Sequence, residues 1–346
     1  MLSSNEAQTD HLDFFLQTLQ KPYRKVLRDF RKTIRFLIYF HFSFMFLFLS
    51  EIYAFLTFFL HLSQSLLAFT LAGIFLTVFS YFILLFYFQA KKPEQLRFLQ
   101  EEFLEKCKSV CKTQEGETTH HLTIAHAVLN LSDYLNGFEK TLFSFPFFSI
   151  KGETFSKFFY LEDVFRFKEL LYSAALQEHY AQIRIAPVDL EAHTSLANTY
   201  VGFSKYLLTT KKEIEASLSC RFRFRKLYQT LEESFRRNSE RAVEEYKILQ
   251  HYVPDDPWVH LQLAKSYEAL DLLKEETSQY EILYKLMPED ETIQKKLGIL
   301  YFRQGLNGKG LEIYEKLKES SLQDANELIH HYGCFHEEES LITDSF

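Results

Sequence analysis

Cysteine, glycine and proline are all scarce in this chain of 346 residues, which contains 4, 10 and 7 of them respectively. Four cysteines cannot build the dense disulfide framework that holds small secreted domains together. So few glycines and prolines argue against a turn-rich β architecture and favour helices. The sequence therefore predicts an all-α fold.

Two of the cysteines, Cys107 and Cys111, stand four residues apart on one face of a predicted helix. A zinc site built on two thiolates would need two further ligands nearby. We therefore interpret both residues as ordinary thiols in a reducing compartment.

Motifs that carry chemistry or bind nucleic acid are missing as well. The formal net charge is -7, whereas a nucleic-acid-binding protein needs a concentrated basic face. No glycine-rich phosphate loop follows a strand, and no nucleophile elbow or HExxH motif is present. The sequence predicts neither an enzyme nor a nucleic-acid-binding protein, and it assigns no catalytic residue.

Two histidine-rich groups are the candidates for a metal site. Gly333 indicates a helix end within the second group, where histidine is favoured by the helix dipole and as a cap. We therefore predict no metal and no cofactor. The groups are His120, His121 and His126, and then His330, His331, Cys334 and His336.

Long apolar runs are concentrated in one part of the chain. The mean hydropathy of -0.16 averages a charged sequence with an almost entirely apolar stretch over residues 36–90. Residues 36–60 and 66–89 each have about the 20 residues that a helix needs to cross ~30 Å of hydrocarbon. A signal peptide would have a much shorter apolar core. The pattern predicts an integral membrane protein with a two-helix transmembrane hairpin.

Basic residues flank this hairpin on both outer sides, while the connection over residues 61–65 contains no lysine or arginine. The positive-inside rule then predicts that both termini are cytoplasmic. The basic run before the first span is also expected to attract anionic lipid headgroups. The flanking residues are Lys21, Arg24, Lys25, Arg28, Arg31, Lys32 and Arg35 before the hairpin, and Lys91, Lys92 and Arg97 after it.

Residues 1–35 form a basic amphipathic segment that precedes the first span. Phe14, Phe15, Leu19 and Val26 stand between polar residues in this segment. An amphipathic pattern of this kind predicts a helix that lies on the membrane surface.

Glu51 lies near the middle of the first span, where a charge is costly. It is either an ion or proton site, or a protonated or hydrogen-bonded side chain. In the second case it faces Thr70 or Thr77 of the second helix, or another copy of the hairpin. One acid in two helices makes a poor transport pathway, so we favour a packing role or a shifted span boundary.

Residues 91–186 are predicted to be a helical region, in which a degenerate repeat stays open as an alternative. A charged amphipathic helix continues the second span as far as about Gly116, and a second helix covers residues 119–140. A phenylalanine-rich connection over residues 141–158 leads to a third helix, which extends from about Leu161 to Ile185.

A repeat appears in residues 187–346. Pro187, Pro254 and Pro288 each follow a predicted helix and precede a short acidic turn, and the last two are 34 residues apart. A period of that size indicates stacked helical hairpins. The segments after the three prolines also match one another: they are Leu196–Tyr200, Leu263–Tyr267 and Leu297–Tyr301.

The second helix of each hairpin carries an aromatic residue in register, at Tyr246, Tyr280 and Tyr314. Together these residues resemble the tetratricopeptide repeat family, most closely over residues 220–320. The resemblance implies a solenoid of helical hairpins over residues 187–346. Glu276 departs from it, because the family usually has a small residue there, and looser packing is expected.

A groove lined by the first helices of the hairpins is what such a solenoid uses to bind partners. Members of the family often hold an acidic or C-terminal peptide with Asn, Lys and Arg side chains in this groove. Such groups form charge-assisted hydrogen bonds with a carboxylate. The resemblance therefore implies a protein-binding groove that includes Asn198, Gln262, Lys265, Lys296 and Arg303.

These patterns favour a membrane-anchored protein–protein interaction scaffold that contacts membrane lipids and a protein partner. Two alternatives stay open. The closely spaced hydrophobic hairpin is similar to that of chlamydial inclusion-membrane proteins, which would imply a bacterial secreted effector in a host or vacuolar membrane. A small transporter or channel subunit would instead depend on Glu51.

Overall fold

The computed structural model describes residues 18–58, 63–111, 119–141, 152–216 and 218–333. The regular secondary structure of these residues is entirely helical, which confirms the predicted all-α fold. The helices of the N-terminal half are α1 (Gln20–Phe58), α2 (Gln64–Val110), α3 (His120–Tyr134), α4 (Phe138–Thr141) and α5 (Gly152–Ile185). Those that follow are α6 (Leu190–Glu215), α7 (Leu218–Arg223), α8 (Arg225–Tyr252), α9 (Pro257–Ala269), α10 (Leu273–Leu286), α11 (Glu291–Arg303), α12 (Asn307–Ser320) and α13 (Leu322–Ile329).

The helices form two compact units. The first unit is Met1–Ala186 with Ile214–Phe224, and the second is Pro187–Glu213 with Arg225–Phe346. The second unit begins at the proline where the last domain is predicted to begin. The predicted boundaries after residues 35 and 90 fall inside continuous helices, so the four-part division of the chain stays a prediction.

The first half of α1 carries a buried apolar stripe. Tyr23, Val26, Phe30 and Ile34 follow one another at intervals of three or four residues, and each is at most 5% exposed. The Phe30 ring stacks on that of Phe167 in α5, with their centroids 4.7 Å apart. This part of α1 therefore belongs to the core of the first unit.

That packing corrects the expectation of a helix lying on the membrane surface. Leu19 and Val26 are 0% and 5% exposed, because they pack against other helices of the first unit. Their apolar surface is therefore unavailable to a lipid surface. Phe14 and Phe15 lie outside the described residues.

The second half of α1 and the first half of α2 are apolar on nearly every side. They pack against each other, yet Phe46, Phe69 and Phe75 are each more than 70% exposed. Exposed apolar surface of this extent marks a membrane or partner interface. Both helices are long and apolar enough to cross a membrane.

Beyond this apolar half, α2 continues without a break into the core of the first unit. Leu96, Leu99, Phe103 and Cys107 are buried at helical spacing. The predicted continuation of the second span is therefore confirmed, and it ends at Val110.

The predicted helix over residues 119–140 is divided into α3 and α4. Gly137, which has a φ of +73°, lies in the turn between them. That φ falls in the left-handed region, which favours glycine and does not continue an α-helix. The next helix, α5, begins at Gly152, earlier than the predicted start near Leu161.

The second unit contains two consecutive helical hairpins, α9 with α10 and α11 with α12, and α13 packs on the last of them. The hairpins approach closely where a side chain is missing. A Cβ atom on Gly298 would lie 2.7 Å from the Leu328 side chain, and one on Gly310 would lie 2.4 Å from the Phe302 ring. Both contacts are shorter than van der Waals distance, so a larger residue at either position would force the neighbouring side chain to shift.

Candidate partner-binding surface

Each of the three prolines of the repeat introduces the same helix start. The residue two positions later is an aspartate whose Oδ1 accepts hydrogen bonds from the backbone amides of the following helix. Asp256 accepts from Trp258 at 2.9 Å, and Asp290 accepts from Thr292 at 2.9 Å. Asp189 likewise accepts from Glu191 at 3.0 Å. An N-cap of this type satisfies amides that have no partner within the helix.

A second side chain closes each of these turns. Six residues after each proline, a histidine or glutamine places a nitrogen against the proline carbonyl oxygen, which can only accept a hydrogen bond. The three contacts are His193 Nε2 to Pro187 at 3.1 Å, His260 Nε2 to Pro254 at 2.8 Å, and Gln294 Nε2 to Pro288 at 2.6 Å. None of these contacts to the proline carbonyl was predicted, although their constant offset from the prolines is visible in the sequence.

In two of the three segments, the histidine ring also ties the first helix to the second helix of its hairpin. Nδ1 of His193 lies 2.7 Å from Glu245, and Nδ1 of His260 lies 2.8 Å from Gln279. Glu245 and Gln279 are 34 residues apart, so this contact has the period of the hairpins. The corresponding position in the last hairpin is the buried Ile313, which has no polar atom to offer.

The matched core positions behave alike in the three segments. The leucines, the small residues and the tyrosines of the first helices are all buried. The leucines are Leu196, Leu263 and Leu297, the small residues are Ala197, Ala264 and Gly298, and the tyrosines are Tyr200, Tyr267 and Tyr301. The repeated sequence letters therefore correspond to repeated positions in the packing.

Three of the predicted groove residues lie on this scaffold with accessible side chains. Asn198 and Lys265 are exposed at equivalent positions of α6 and α9, and Gln262 is half-buried one turn before Lys265. The Tyr246 hydroxyl donates a hydrogen bond to Asn198 Oδ1 at 2.9 Å, which orients that side chain. Lys265 forms no ion pair among the described residues.

The other two predicted groove residues, Lys296 and Arg303, face acidic side chains of their own unit. Lys296 Nζ lies 2.7 Å from Glu268 and 3.3 Å from Glu276, and Arg303 lies 3.9 Å from Asp271. Their charge is therefore partly compensated within the chain, which makes them weaker anchors for a partner than Lys265.

Glu276 is buried against Lys296, where looser packing was expected. It is 2% exposed. Burial raises the pKa of the Glu276 carboxyl group, against the opposing effect of the Lys296 ammonium. Glu276 and Lys296 therefore form a polar contact between neighbouring hairpins, at the position where the repeat family usually has a small residue.

Glu51 faces Thr77 of the second apolar helix, which is one of its two predicted neighbours. The Thr77 hydroxyl donates a hydrogen bond to Glu51 Oε1 at 2.8 Å. A second polar contact between the apolar halves of these helices joins His41 Nδ1 and the Tyr81 hydroxyl at 2.9 Å. Both contacts hold α1 against α2.

The candidate metal ligands do not assemble. Within the described ranges, no three His, Cys, Asp or Glu side chains are grouped so that they could hold a metal ion. His121 instead pairs with Glu178 at 2.6 Å, and burial raises the pKa of the Cys107 thiol. Cys334 and His336 lie outside the described residues.

No family model matches this chain, and no curated protein matches it either.

Proposed function

We propose that this chain is a membrane-anchored protein–protein interaction scaffold. The apolar halves of α1 and α2 insert as a two-span hairpin, and the second unit is a tetratricopeptide-like stack that binds another protein. The observation that carries the proposal is the turn that recurs after Pro187, Pro254 and Pro288, with the same aspartate cap and the same contact to the proline carbonyl. Repeated hairpins with this register build extended binding surfaces.

The proposed topology has both termini in the cytoplasm. The basic residues before the apolar half of α1 and after the apolar half of α2 support it through the positive-inside rule. The large exposed phenylalanines of the two apolar helices would then face lipid, where their exposure carries no cost.

The proposed partner is an acidic or C-terminal peptide held beside Lys265. The ammonium of Lys265 is exposed, and Gln262 adds a carboxamide on the same face of α9. A cation beside an amide donor suits a carboxylate, which accepts charge-assisted hydrogen bonds from both. Asn198 offers another amide at the equivalent position of α6.

Affinity capture of the full-length protein in mild detergent, followed by mass spectrometry, tests this function. The test variant is Gln262→Glu with Lys265→Glu, which reverses the charge of the surface. It leaves Lys296 in place, because removing that ammonium would leave the buried Glu276 without its partner. The control is Lys285→Glu, an exposed charge reversal on α10, the second helix of the same hairpin.

We expect a protein partner that the parent and the control capture and that the folded test variant loses. Capture of the same partners by all three would place the binding surface elsewhere. Capture of no partner by the parent would reject the scaffold.

A further inference from the structure

A cleft of about 490 Å³ lies in the first unit, where α1 and α2 leave their apolar runs. Leu37 and Ile38 of α1 form part of its apolar wall. Pro93 and Leu96 of α2 and Phe159 of α5 complete that wall. The first apolar run begins at residue 36 and the second ends at residue 89, so the cleft is at the level where the proposed spans meet the aqueous phase.

Two ion pairs line the polar side of the cleft. Lys92 Nζ lies 2.6 Å from Asp163 Oδ2, and the Arg166 guanidinium lies 2.6 Å from Glu162. The first pair is largely buried, at 20% and 8% side-chain exposure. The two carboxylates therefore balance these two cations.

Arg223 is the cation of the cleft that has no carboxylate partner among the described residues. Its guanidinium lies over the Phe158 ring at 4.5 Å, and the rings of Phe159 and Phe224 are within 6 Å. Aromatic faces hold a guanidinium in place without neutralising its charge or using its hydrogen-bond donors. Arg223 therefore presents a net positive charge and free donors to the cleft.

Two neutral donors complete the set. The Tyr160 hydroxyl and the Gln89 carboxamide line the cleft, and neither side chain forms a hydrogen bond within the described part of the chain. Tyr160 is only 2% exposed, and burial raises its pKa to about 12, so its hydroxyl keeps its proton at neutral pH. The hydroxyl borders the open space of the cleft, where it can donate a hydrogen bond to a ligand or to water.

We propose that this cleft binds the phosphate group of a membrane phospholipid, with Arg223 as the cation and Tyr160 and Gln89 as hydrogen-bond donors. One uncompensated positive charge matches the single negative charge of a phosphodiester. Its acceptor oxygens match the guanidinium, hydroxyl and amide donors. The apolar wall beside these donors suits the first segments of the acyl chains.

A lipid is the source that the position favours over free phosphate. The cleft joins the ends of both apolar runs, and a phospholipid places its phosphate at this boundary between hydrocarbon and water. The inference rests on the proposed membrane insertion, and the two are tested separately.

The first measurement is carbonate extraction of membranes that contain the full-length protein. The protein is then reconstituted in nanodiscs of equal parts phosphatidylcholine and phosphatidylglycerol, and native mass spectrometry counts the phospholipids it retains on release. The variants are Arg223→Gln and Tyr160→Phe. The control is Arg237→Gln, which removes an exposed arginine of α8 that forms no ion pair in the described structure.

We expect a carbonate-resistant protein whose parent and control forms retain phospholipid. Arg223→Gln should lower lipid retention roughly tenfold and Tyr160→Phe roughly threefold, in line with the loss of a charged and a neutral hydrogen bond. Tyr160→Phe preserves the ring, so it keeps the test valid if Arg223→Gln does not fold.

Three results would overturn the inference. Release of the protein by carbonate would reject membrane insertion together with the lipid site. Insertion with unchanged lipid retention in both variants would reject the cleft alone. Finally, delipidated protein is titrated with inorganic phosphate: binding of phosphate without retention of lipid would reject a lipid as the source.

Discussion

Phenylalanine is placed in opposite ways in two regions of the molecule. Phe75 in the apolar half of α2 is 73% exposed, whereas Phe302 in α11 is 0% exposed and packs against Gly310. Both stand on regular α-helices, so helix formation does not decide their position. With the hairpin inserted as proposed, the difference teaches that the medium around each helix decides where the ring lies, because a ring that faces lipid gains little from burial in protein.

Truncating the two rings gives the largest contrast. Phe302→Ala should destabilise the second unit by about 3–5 kcal/mol, because it removes a fully buried ring and leaves a cavity. Phe75→Ala should change stability by less than about 0.5 kcal/mol, because it leaves no cavity. Hydrogen exchange followed by mass spectrometry on the full chain in detergent measures the opening free energy of α11 and α12 for Phe302→Ala, and that of α1 and α2 for Phe75→Ala. Equal effects of the two substitutions would contradict the comparison.

Adding one methyl group tests the same packing from the other direction. Gly310→Ala should cost about 1–3 kcal/mol, because the new Cβ atom would lie 2.4 Å from the Phe302 ring. Gly308→Ala is the matched control, since nothing lies within 4 Å of its Cβ position in the same helix. It should be neutral or stabilising by up to about 1 kcal/mol. Thermal unfolding of the two variants side by side distinguishes the outcomes.

Acid should act on His179 in the first unit and on Asp290 in the second unit in different pH windows. In the first unit, burial and the neighbouring His126 lower the pKa of His179 to about 4. The unfolded chain then binds more protons than the folded one between about pH 6.5 and 4, so stability is lost as the pH falls through this window. In the second unit, hydrogen bonds lower the pKa of Asp290, and its contribution disappears only as the pH falls below about 4.

His179→Leu should therefore remove about 2–3 kcal/mol of the pH dependence of α5 between pH 6.5 and 4. Burial raises the pKa of Asp163 in the same helix, which works in the opposite direction, so the informative quantity is the difference between variant and parent. Hydrogen exchange of α5 across this pH range measures it. An unchanged slope would show that His179 does not control the acid sensitivity of the first unit.

Helix capping gives the smallest expected contrast. Asp290→Ala should cost about 1 kcal/mol, because two backbone amides of α11 lose their acceptor. Ser63→Ala should cost no more than a few tenths of a kcal/mol, since the Ser63 side chain makes no capping hydrogen bond at the start of α2. Exchange rates of the first turn of each helix provide the measurement. A similar loss of stability at the start of α11 in Asp290→Ala and at the start of α2 in Ser63→Ala would contradict the expected difference between the two caps.

Periodic features of the sequence were sufficient to predict much of this fold. The all-α class, the two long apolar helices and the continuation of α2 past residue 90 follow from hydropathy and helical spacing. The break at Gly137 was missed, because a single residue with positive φ leaves no trace in a helical pattern. The inward face of α1 was misread, because an amphipathic stripe does not say whether lipid or protein covers it.

Candidate site residues were harder to predict, because a side chain's role depends on partners far away in the sequence. Lys265 and Lys296 look alike in the sequence, but only Lys296 meets a buried acid, Glu276, on the preceding helix. Arg223 carried no signal at all. Its position in the cleft depends on α7 packing beside α5, which no short-range pattern specifies.

The unbroken course of α2 has a mechanical consequence. Its 47 residues correspond to a rod about 70 Å long, which passes through Pro93 without ending. With the hairpin inserted as proposed, α2 is a rigid connection between the membrane and the first unit, because the C-terminal half of this helix is part of the core of that unit. A change in the tilt of the hairpin, from a thicker or thinner bilayer, would then reorient that core as one body.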